Sequence, residues 1–299
     1  MVTETSMRAQ AAETSVELFR RCPDVAILLS EISVERFRPA FELDPSRILN
    51  VGIMEQAIIG VAAGFAMEGF HPIVHTIAPF LVERPYEQLK LDFGYQQLGG
   101  TFFSVGASND YSAEGATHHA PADVAALLAI PTFQVLVPGH PAEVDALLRQ
   151  TYDNGLPTYL RTTISENARP QDVPAGRLES VRRGGAGTVI AFGPLLDRVL
   201  EATRQIDVDV LYATSVRPFD RATLHEVAGA SPTVVTVEPW YEWTVAEVLT
   251  ETFADRPARI GSIGIPKRFA FHYGTPEEHD VKNGLDADGI ARRLRSFFD

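Results

Sequence analysis

The feature that most limits how this chain can fold is a regular alternation of short apolar runs with amphipathic segments. In the first half, helical periodicity covers residues 54–68, 80–96, 121–129 and 141–152. Between these segments lie apolar, β-branched runs that indicate strands: DVAILLS, RILNVGI, HPIVHTI, TFFSVG, FQVLVP and PTYLR. Strands that alternate with helices predict an α/β domain built on a largely parallel sheet.

This pattern stops after Arg161, and a second α/β unit follows. The segment ENARPQDVPAGRLESVRRGG is rich in proline, glycine and charge, which is typical of a link between domains. Beyond it, TVIAF, VDVLY and TVVTVE indicate strands, and residues 194–205 and 221–228 indicate helices. We therefore predict two α/β domains within the 299 residues, at 1–165 and 185–299, joined by a linker at 166–184.

Charge and composition exclude several classes of function. The chain has 39 Asp and Glu residues against 26 Lys and Arg, and the net charge of -13 disfavours binding to nucleic acid. It has no run of about eighteen apolar residues and no secretory signal pattern, so we expect a soluble, cytoplasmic protein that does not bind membranes. The single cysteine, Cys22, rules out an internal disulfide and a cysteine-based metal cluster.

The segment NVGIMEQAIIGVAAGFAMEG places an acid at the start of a helix. Asn50 and Gly52 mark a turn from strand to helix, so Glu55 falls in the first helical turn, where the helix dipole favours a carboxylate. Gly60 and Gly64, among several alanines, allow this helix to approach a neighbour closely. Taken alone, the segment predicts a tightly packed helix that begins with an acid.

Three motifs carry a resemblance to a known family. GIMEQ with its small-residue helix, then HTIAPFLVERPYEQ, then AEGATHH, are similar in order and spacing to the pyrimidine domain of transketolases over residues 8–161. In the second half GPLLDRVLEA, SVRPFD, VVTVE and GLDADGIARRLRSF resemble the transketolase C-terminal domain. The EPWYEW segment departs from that family's glycine-rich stretch, and its Trp240 and Trp243 fit either an interface or the domain core.

The resemblance implies a thiamine diphosphate site. It assigns Glu55 to the hydrogen bond with N1′ of the cofactor's aminopyrimidine, a contact that favours the tautomer able to deprotonate the thiazolium ring. Phe80 matches the aromatic residue that stacks on the pyrimidine. Ile77 stands where many relatives carry a second aromatic residue, and Glu31 stands where they place an aspartate near the cofactor.

The same resemblance implies substrate contacts. His118 and Glu114 match a histidine and an acid that contact substrate hydroxyls, and His118 is a candidate catalytic proton carrier. Arg8 matches an N-terminal substrate-binding arginine. For His75 and His119, a solvated or core position is the favoured interpretation.

The chain lacks the Gly-Asp-Gly motif with which the family holds Mg²⁺ and the diphosphate, so we predict no metal ligand here. A separate diphosphate-binding subunit would supply both, with an α₂β₂ assembly as the simplest arrangement. The predicted reaction is transfer of a two-carbon ketol unit from a ketose to an aldehyde. Three alternatives remain open: the β-subunit of a 2-oxo-acid dehydrogenase, a deoxyxylulose phosphate synthase, and a scaffolding or regulatory subunit without catalysis.

Two positions bear on substrate phosphate. Gly106 stands where transketolases usually place a phosphate-binding histidine, and Ile164 stands where they place a phosphate-binding arginine. Arg161 is three positions from Ile164, so in a strand it points to the opposite face. We therefore expect weak recognition of phosphorylated sugars, unless Arg8 or an arginine of the partner restores the contact.

Overall fold

Two mostly parallel sheets, of seven and five strands, organise residues 6–298, the part of the chain that this computed structural model describes. The prediction of two α/β domains is confirmed. The first half contributes six parallel strands in the spatial order fifth, sixth, fourth, third, first, second. In chain order these are β1 (Val25–Leu29), β2 (Ile48–Asn50), β3 (His71–Ile77), β4 (Gly100–Val105), β5 (Gln134–Leu136) and β6 (Pro157–Arg161).

Helices cover both faces of this sheet, which explains why β1, β4 and β6 are buried along their whole length. Ile27 and Leu28 are neighbours in β1 but belong to different hydrophobic clusters, one on each face. No helix within residues 6–298 combines the length and the apolar character needed to span a bilayer. The helices of this half are α1 (Met7–Arg21), α2 (Arg38–Leu43), α3 (Glu55–Met67), α4 (Ala78–Val82), α5 (Tyr86–Gln88), α6 (Asp123–Leu128) and α7 (Pro141–Thr151).

The second sheet consists of β7 (Leu178–Arg182), β8 (Thr188–Phe192), β9 (Asp209–Ala213), β11 (Thr233–Tyr241) and β12 (Arg259–Ile265). Their spatial order is β12-β11-β8-β9-β7, and β7 runs antiparallel to β9. β7 falls inside the segment 166–184 that the sequence analysis assigned to a linker. The domain boundaries stay a prediction. The helices that flank this sheet are α8 (Leu196–Ala202), α9 (Arg221–Ala228), α10 (Ala246–Thr252), α11 (Pro276–Asn283) and α12 (Ala287–Phe298).

One strand crosses between the two halves of the chain. β10 (Ser215–Arg217) follows β9 in sequence but joins the first sheet, antiparallel to β5. The side chain of Arg217 reinforces this crossover, because it donates hydrogen bonds of 2.7 and 2.6 Å to the carbonyls of Ile130 and Leu128. The chain that forms the second domain therefore completes the sheet of the first.

A buried ion pair also joins the halves. Arg161, at the end of β6, and Asp123, in the first turn of α6, are fully buried and 2.7 Å apart. The same guanidinium donates to the Pro239 carbonyl of β11 at 3.2 Å. A buried pair costs much desolvation free energy, so its extra hydrogen bonds matter to its stability. Because all of these groups are buried, Arg161 acts as a structural clamp between the domains.

The helix expected at residues 80–96 is broken. α4 ends at Val82, a turn follows, and α5 leads into a π-helix at Leu89–Tyr95. Pro85 in the turn has no N–H to continue the α-helical ladder. Gly94 packs closely enough that an added Cβ would lie 2.6 Å from Cγ2 of Ile130. A local break and a close tertiary contact thus replace one long helix.

Of the two tryptophans, the structure buries one. Trp240 is completely buried, and its Nε1 donates to Oε2 of Glu238 at 2.7 Å. Trp243 is 45% exposed. The core interpretation therefore holds for Trp240, and Trp243 remains open to solvent.

Asp110 generates a prediction about stability and pH. Burial raises the pKa of its carboxyl to about 8, although the Arg161 charge and the Ile164 N–H, 3.1 Å away, lower it. An Asp in the unfolded chain titrates near pH 4. The protonated Asp110 carboxyl therefore contributes its full stabilisation of the fold below about pH 4, and this stabilisation is lost as pH rises through 8. The free energy of unfolding of Asp110→Asn, taken relative to that of wild type, should rise by at least about 1 kcal/mol from pH 5 to pH 9. Denaturant unfolding at both pH values measures this, and parallel pH profiles would contradict it.

Candidate functional site

The carboxyl ends of β1 and β2 position Glu55. After Asn50 the chain turns through Gly52, at φ +76°, and α3 begins at Glu55. The Asn50 side chain accepts hydrogen bonds from the backbone N–H groups of Gly52 and Glu31, at 3.2 and 3.1 Å. Glu55 is buried, and its position in the first turn of the helix favours the charged carboxylate. The turn thus presents a largely desolvated acid at the edge of the sheet.

The loop after β1 carries backbone strain next to this acid. Glu31 and Ser33 both adopt left-handed conformations, at φ 61° and 60°. Glu31 is exposed, and one of its carboxylate oxygens accepts from the Asn50 side chain at 3.3 Å. The structure therefore brings Glu31 to the turn that precedes Glu55.

Arg84 connects Glu55 to Phe80. Its Nη1 donates to Oε1 of Glu55 at 2.7 Å, and its guanidinium carbon lies 3.6 Å from the centre of the Phe80 ring. Phe80 lies in α4, directly after β3, while Arg84 follows in the turn. Sequence analysis did not single out Arg84, and the only sequence signal was its place in the FLVERPYEQ motif.

The Phe80 ring also contacts the third motif. The ring centres of Phe80 and His118 are 5.0 Å apart and the rings are tilted by 68°, and the Tyr111 ring centre lies 6.3 Å from that of His118 with the planes at 87°. Thr117 fixes the imidazole, because its hydroxyl lies 2.9 Å from Nδ1 of His118. Glu114, at the end of a short 3₁₀ turn in the same loop, is exposed. Glu55, Phe80 and His118 therefore form one continuous surface through Arg84.

An open groove of about 580 Å³ lies in front of Glu55, lined by Ile53, Met54, Glu55, Gln56, Ala57 and Arg84. Its polar end offers the Glu55 carboxylate as an acceptor, and the neighbouring Phe80 offers an aromatic face. Together they hold the planar guanidinium of Arg84. This donor set fits an aminopyrimidine, a planar ring that hydrogen-bonds at its edge and stacks on its face. Within residues 6–298, no group of three or more His, Cys, Asp or Glu side chains could hold a metal.

Arg8 reaches the same region from α1. Its Nε donates to the Ser33 hydroxyl at 2.9 Å, and that hydroxyl lies 2.9 Å from Nε2 of His75. The other ring nitrogen of His75 faces the Phe103 carbonyl at 3.0 Å. Burial lowers the pKa of His75 to about 3, so the ring stays neutral. His75 therefore orients Ser33 and Arg8 from inside the core.

Ile77 and His119 lie at the margins of the site. Ile77 ends β3 immediately before α4 and is half-buried, one helical turn from Phe80. His119 is buried, with its ring centre 5.2 Å from that of His279 in α11. Burial lowers the pKa of His119. His119 thus takes part in a contact with the second domain.

The two positions relevant to phosphate offer no ligand. Gly106 has φ +72°, and a Cβ there would lie 2.2 Å from the Tyr111 ring, so even a small side chain is excluded. Ile164 is 59% exposed and apolar. The guanidinium of Arg161 is buried against Asp123.

Comparison with protein families accounts for both halves of the chain. The family model "Transketolase, pyrimidine binding domain" matches residues 3–168, and "Transketolase, C-terminal domain" matches residues 176–290. Glu55, Phe80 and His118 all fall within the first match.

Two relatives illustrate how the chain compares with curated proteins. It is 40% identical over 278 residues to the uncharacterized 33.6 kDa protein in the fasciation locus of Rhodococcoides fascians, covering 92% of this chain and 89% of that protein. It is 32% identical over 265 residues to 1-deoxy-D-xylulose-5-phosphate synthase of Aromatoleum aromaticum, covering 85% of this chain. The chain spans only 42% of the length of that synthase.

Solved structures show the same architecture. A split gene transketolase, described as an inactive beta4 tetramer, superposes with a TM-score of 0.86 at 25% identity, covering 99% of this chain and 98% of that one. Transketolase from Campylobacter jejuni has the same fold with a TM-score of 0.81 at 15% identity, covering 98% of this chain and 47% of the other. With both domain models matched along its length, the chain belongs to the transketolase family and combines that family's pyrimidine-binding and C-terminal domains.

Proposed function

We propose that this chain is the pyrimidine-binding subunit of a two-chain, thiamine diphosphate-dependent enzyme that transfers a two-carbon ketol unit from a ketose to an aldehyde. The observation that carries the proposal is the pairing of the buried Glu55 carboxylate with the Phe80 ring around one planar cation. A helix that only needed an N-terminal acid would have no use for an aromatic face beside it.

When bound, the cofactor supplies a carbon nucleophile for attack on the ketose carbonyl. Glu55 shares a proton with the edge of the pyrimidine, a role that suits a carboxyl group shielded from water. Phe80 supports the face of the ring and excludes solvent from that hydrogen bond. Ile77 and Glu31 complete the cofactor contacts at the ends of β3 and β1.

His118 binds substrate oxygen and carries protons to and from it, while the Thr117 hydroxyl holds the ring at Nδ1. Glu114 and Arg8 flank the approach from the loop after β4 and from α1. Glu114 is exposed, so it can accept a hydrogen bond from a sugar hydroxyl without structural change. These contacts orient the ketose relative to the cofactor.

A separate diphosphate-binding subunit, which also holds Mg²⁺, completes the active site in this proposal. The outer face of α3, beside Glu55, supports such a partner: Ala57, Gly60, Val61 and Gly64 are exposed at helical spacing and form a smooth apolar stripe. The near-complete match in length with a split gene transketolase chain also supports it. We propose an α₂β₂ assembly in the cytoplasm.

A second candidate is synthesis of deoxyxylulose phosphate, favoured by the synthase relatives at 32% to 33% identity. The sites at Gly106 and Ile164 disfavour it, because neither supplies a ligand for a phosphorylated aldehyde. A catalytically silent scaffold is a candidate from another class, and it is favoured by the description of the split gene transketolase as an inactive tetramer. The synthase would need a ligand for phosphate, and a scaffold would not need Glu55, Phe80 and His118 in combination.

The first prediction concerns the partner. Purified alone, the chain should show negligible turnover and weak thiamine diphosphate binding, because the ligands for Mg²⁺ and diphosphate lie on another subunit. Calorimetric titration with thiamine diphosphate, with and without Mg²⁺, measures this. Tight, Mg²⁺-dependent binding by the chain alone would refute the two-chain proposal.

Substitution at Glu55 tests the cofactor role. In the complex with the partner, Glu55→Gln should slow hydrogen-deuterium exchange at C2 of the cofactor by about a hundredfold or more, because an amide cannot share a proton with the ring in the same way. Glu68→Gln, at the exposed C-terminal end of α3, is the matched control and should exchange at the wild-type rate. An unchanged rate in Glu55→Gln would sink the assignment.

Substrate preference tests the phosphate contacts. The complex should favour phosphorylated over unphosphorylated acceptors by less than about a hundredfold in kcat/KM, since each missing charge-assisted hydrogen bond typically contributes about 1.5 to 3 kcal/mol. Paired assays on phosphorylated and unphosphorylated aldoses measure the ratio. A larger preference would show that Arg8 or a partner arginine supplies the contact, and would leave the cofactor assignment standing.

A further inference from the structure

The guanidinium of Arg84 makes the two contacts that the proposed function assigns to the cofactor ring. It donates to Oε1 of Glu55 at 2.7 Å and lies 3.6 Å from the centre of the Phe80 ring. A guanidinium is planar and delocalised, as is an aminopyrimidine that is protonated at its ring nitrogen. Each can donate to a carboxylate with its edge while its face stacks on an aromatic ring.

Both groups cannot hold these contacts at once. The close aromatic and cationic neighbours of the Phe80 ring within the described structure are Arg84 and His118, the latter at 5.0 Å and steeply tilted. An incoming ring that stacks on this face of Phe80 and hydrogen-bonds Oε1 of Glu55 must displace the group that already does both. That group is Arg84.

The exposure of the two partners shows which of them can move. The Glu55 side chain is 8% exposed, whereas that of Arg84 is 46% exposed. Glu55 is fixed at the start of α3, but Arg84 lies in the turn between α4 and α5 and reaches the site from the solvent side. A long side chain can rotate into water without moving its backbone, while a buried carboxylate without a partner is costly.

We propose that Arg84 is a reversible plug, which closes the empty site by imitating the aminopyrimidine and leaves when the cofactor enters. This inference rests on the proposed function. The plug keeps Glu55 paired in the free subunit, and binding then exchanges one planar cation for another. Part of the free energy of binding is therefore used to release Arg84, so the intact plug weakens the affinity for the cofactor.

Thiamine is the suitable probe, because it carries the aminopyrimidine but no diphosphate and so needs only this chain. Arg84→Met keeps a long side chain but neither donates to Glu55 nor carries charge. In an NMR-detected titration of the full chain, it should bind thiamine about fivefold more tightly than wild type, the effect of losing a half-exposed ion pair worth about 1 kcal/mol. Without ligand, it should also melt at a lower temperature than wild type, since Glu55 loses its partner.

Arg221→Met is the matched control. Arg221 pairs with Glu251 at 2.9 Å in the second domain, and its side chain is 48% exposed, much like that of Arg84. This variant should bind thiamine as wild type does. Thiamine binding by Arg84→Met that is undetectable, or no tighter than that of wild type, would overturn the plug.

The plug and the proposed function fail in different ways. If Glu55→Gln leaves C2 exchange unchanged in the complex, the cofactor assignment itself is wrong. If Glu55→Gln slows exchange but Arg84→Met binds thiamine more weakly than wild type, Glu55 keeps its role and Arg84 is a cofactor contact instead of a plug.

Discussion

The buried pair between Arg161 and Asp123 determines where the site can form. Both side chains are fully excluded from solvent, so each depends on the other for compensation of its charge. Arg161 also donates to the Ser108 hydroxyl at 3.0 Å and lies 3.5 Å from the Ala120 carbonyl, while Ser108 and Ala120 are bridged to each other. These two residues close the loop that carries His118. One guanidinium thereby fixes the base of this loop and, through Pro239, the domain beside it.

The other part of the site depends on the edge of the parallel sheet. β1, β2 and β3 end side by side. β1 leads into the loop of Glu31, β2 leads to the helix start at Glu55, and β3 leads into α4, which carries Phe80. The carboxyl edge of a parallel sheet is where such loops converge in α/β proteins. Phe80 is the meeting point, since its ring contacts Arg84 from the Glu55 side and His118 from the loop that Arg161 closes.

How much of this could be predicted follows from the range of each interaction. The strands and Glu55 at a helix start were predictable, because apolar alternation and turn residues are local signals. The entry of β10 into the first sheet was not, because three residues carry no mark of their distant partner β5. The break in the helix at residues 80–96 had a visible cause in Pro85, but the π-helix after it depends on tertiary packing at Gly94. The alternation of side chains along a strand predicted that Arg161 and Ile164 point to opposite faces. No local sequence signal marked Arg161 as a clamp or Arg84 as a partner of Glu55.

The arrangement separates the core of the chain from the surface that carries the candidate site. The core lies on both sides of the first sheet and continues into the second domain. The groove at Glu55, in contrast, stays open toward solvent and adjoins the exposed apolar stripe of α3. A surface that is apolar, smooth and next to a buried acid gains from being covered, because covering it removes apolar area from water and strengthens the electrostatic interactions of Glu55. The residues proposed to bind the ring and those proposed to receive a partner therefore occupy one continuous face, so in this proposal cofactor binding and assembly are coupled.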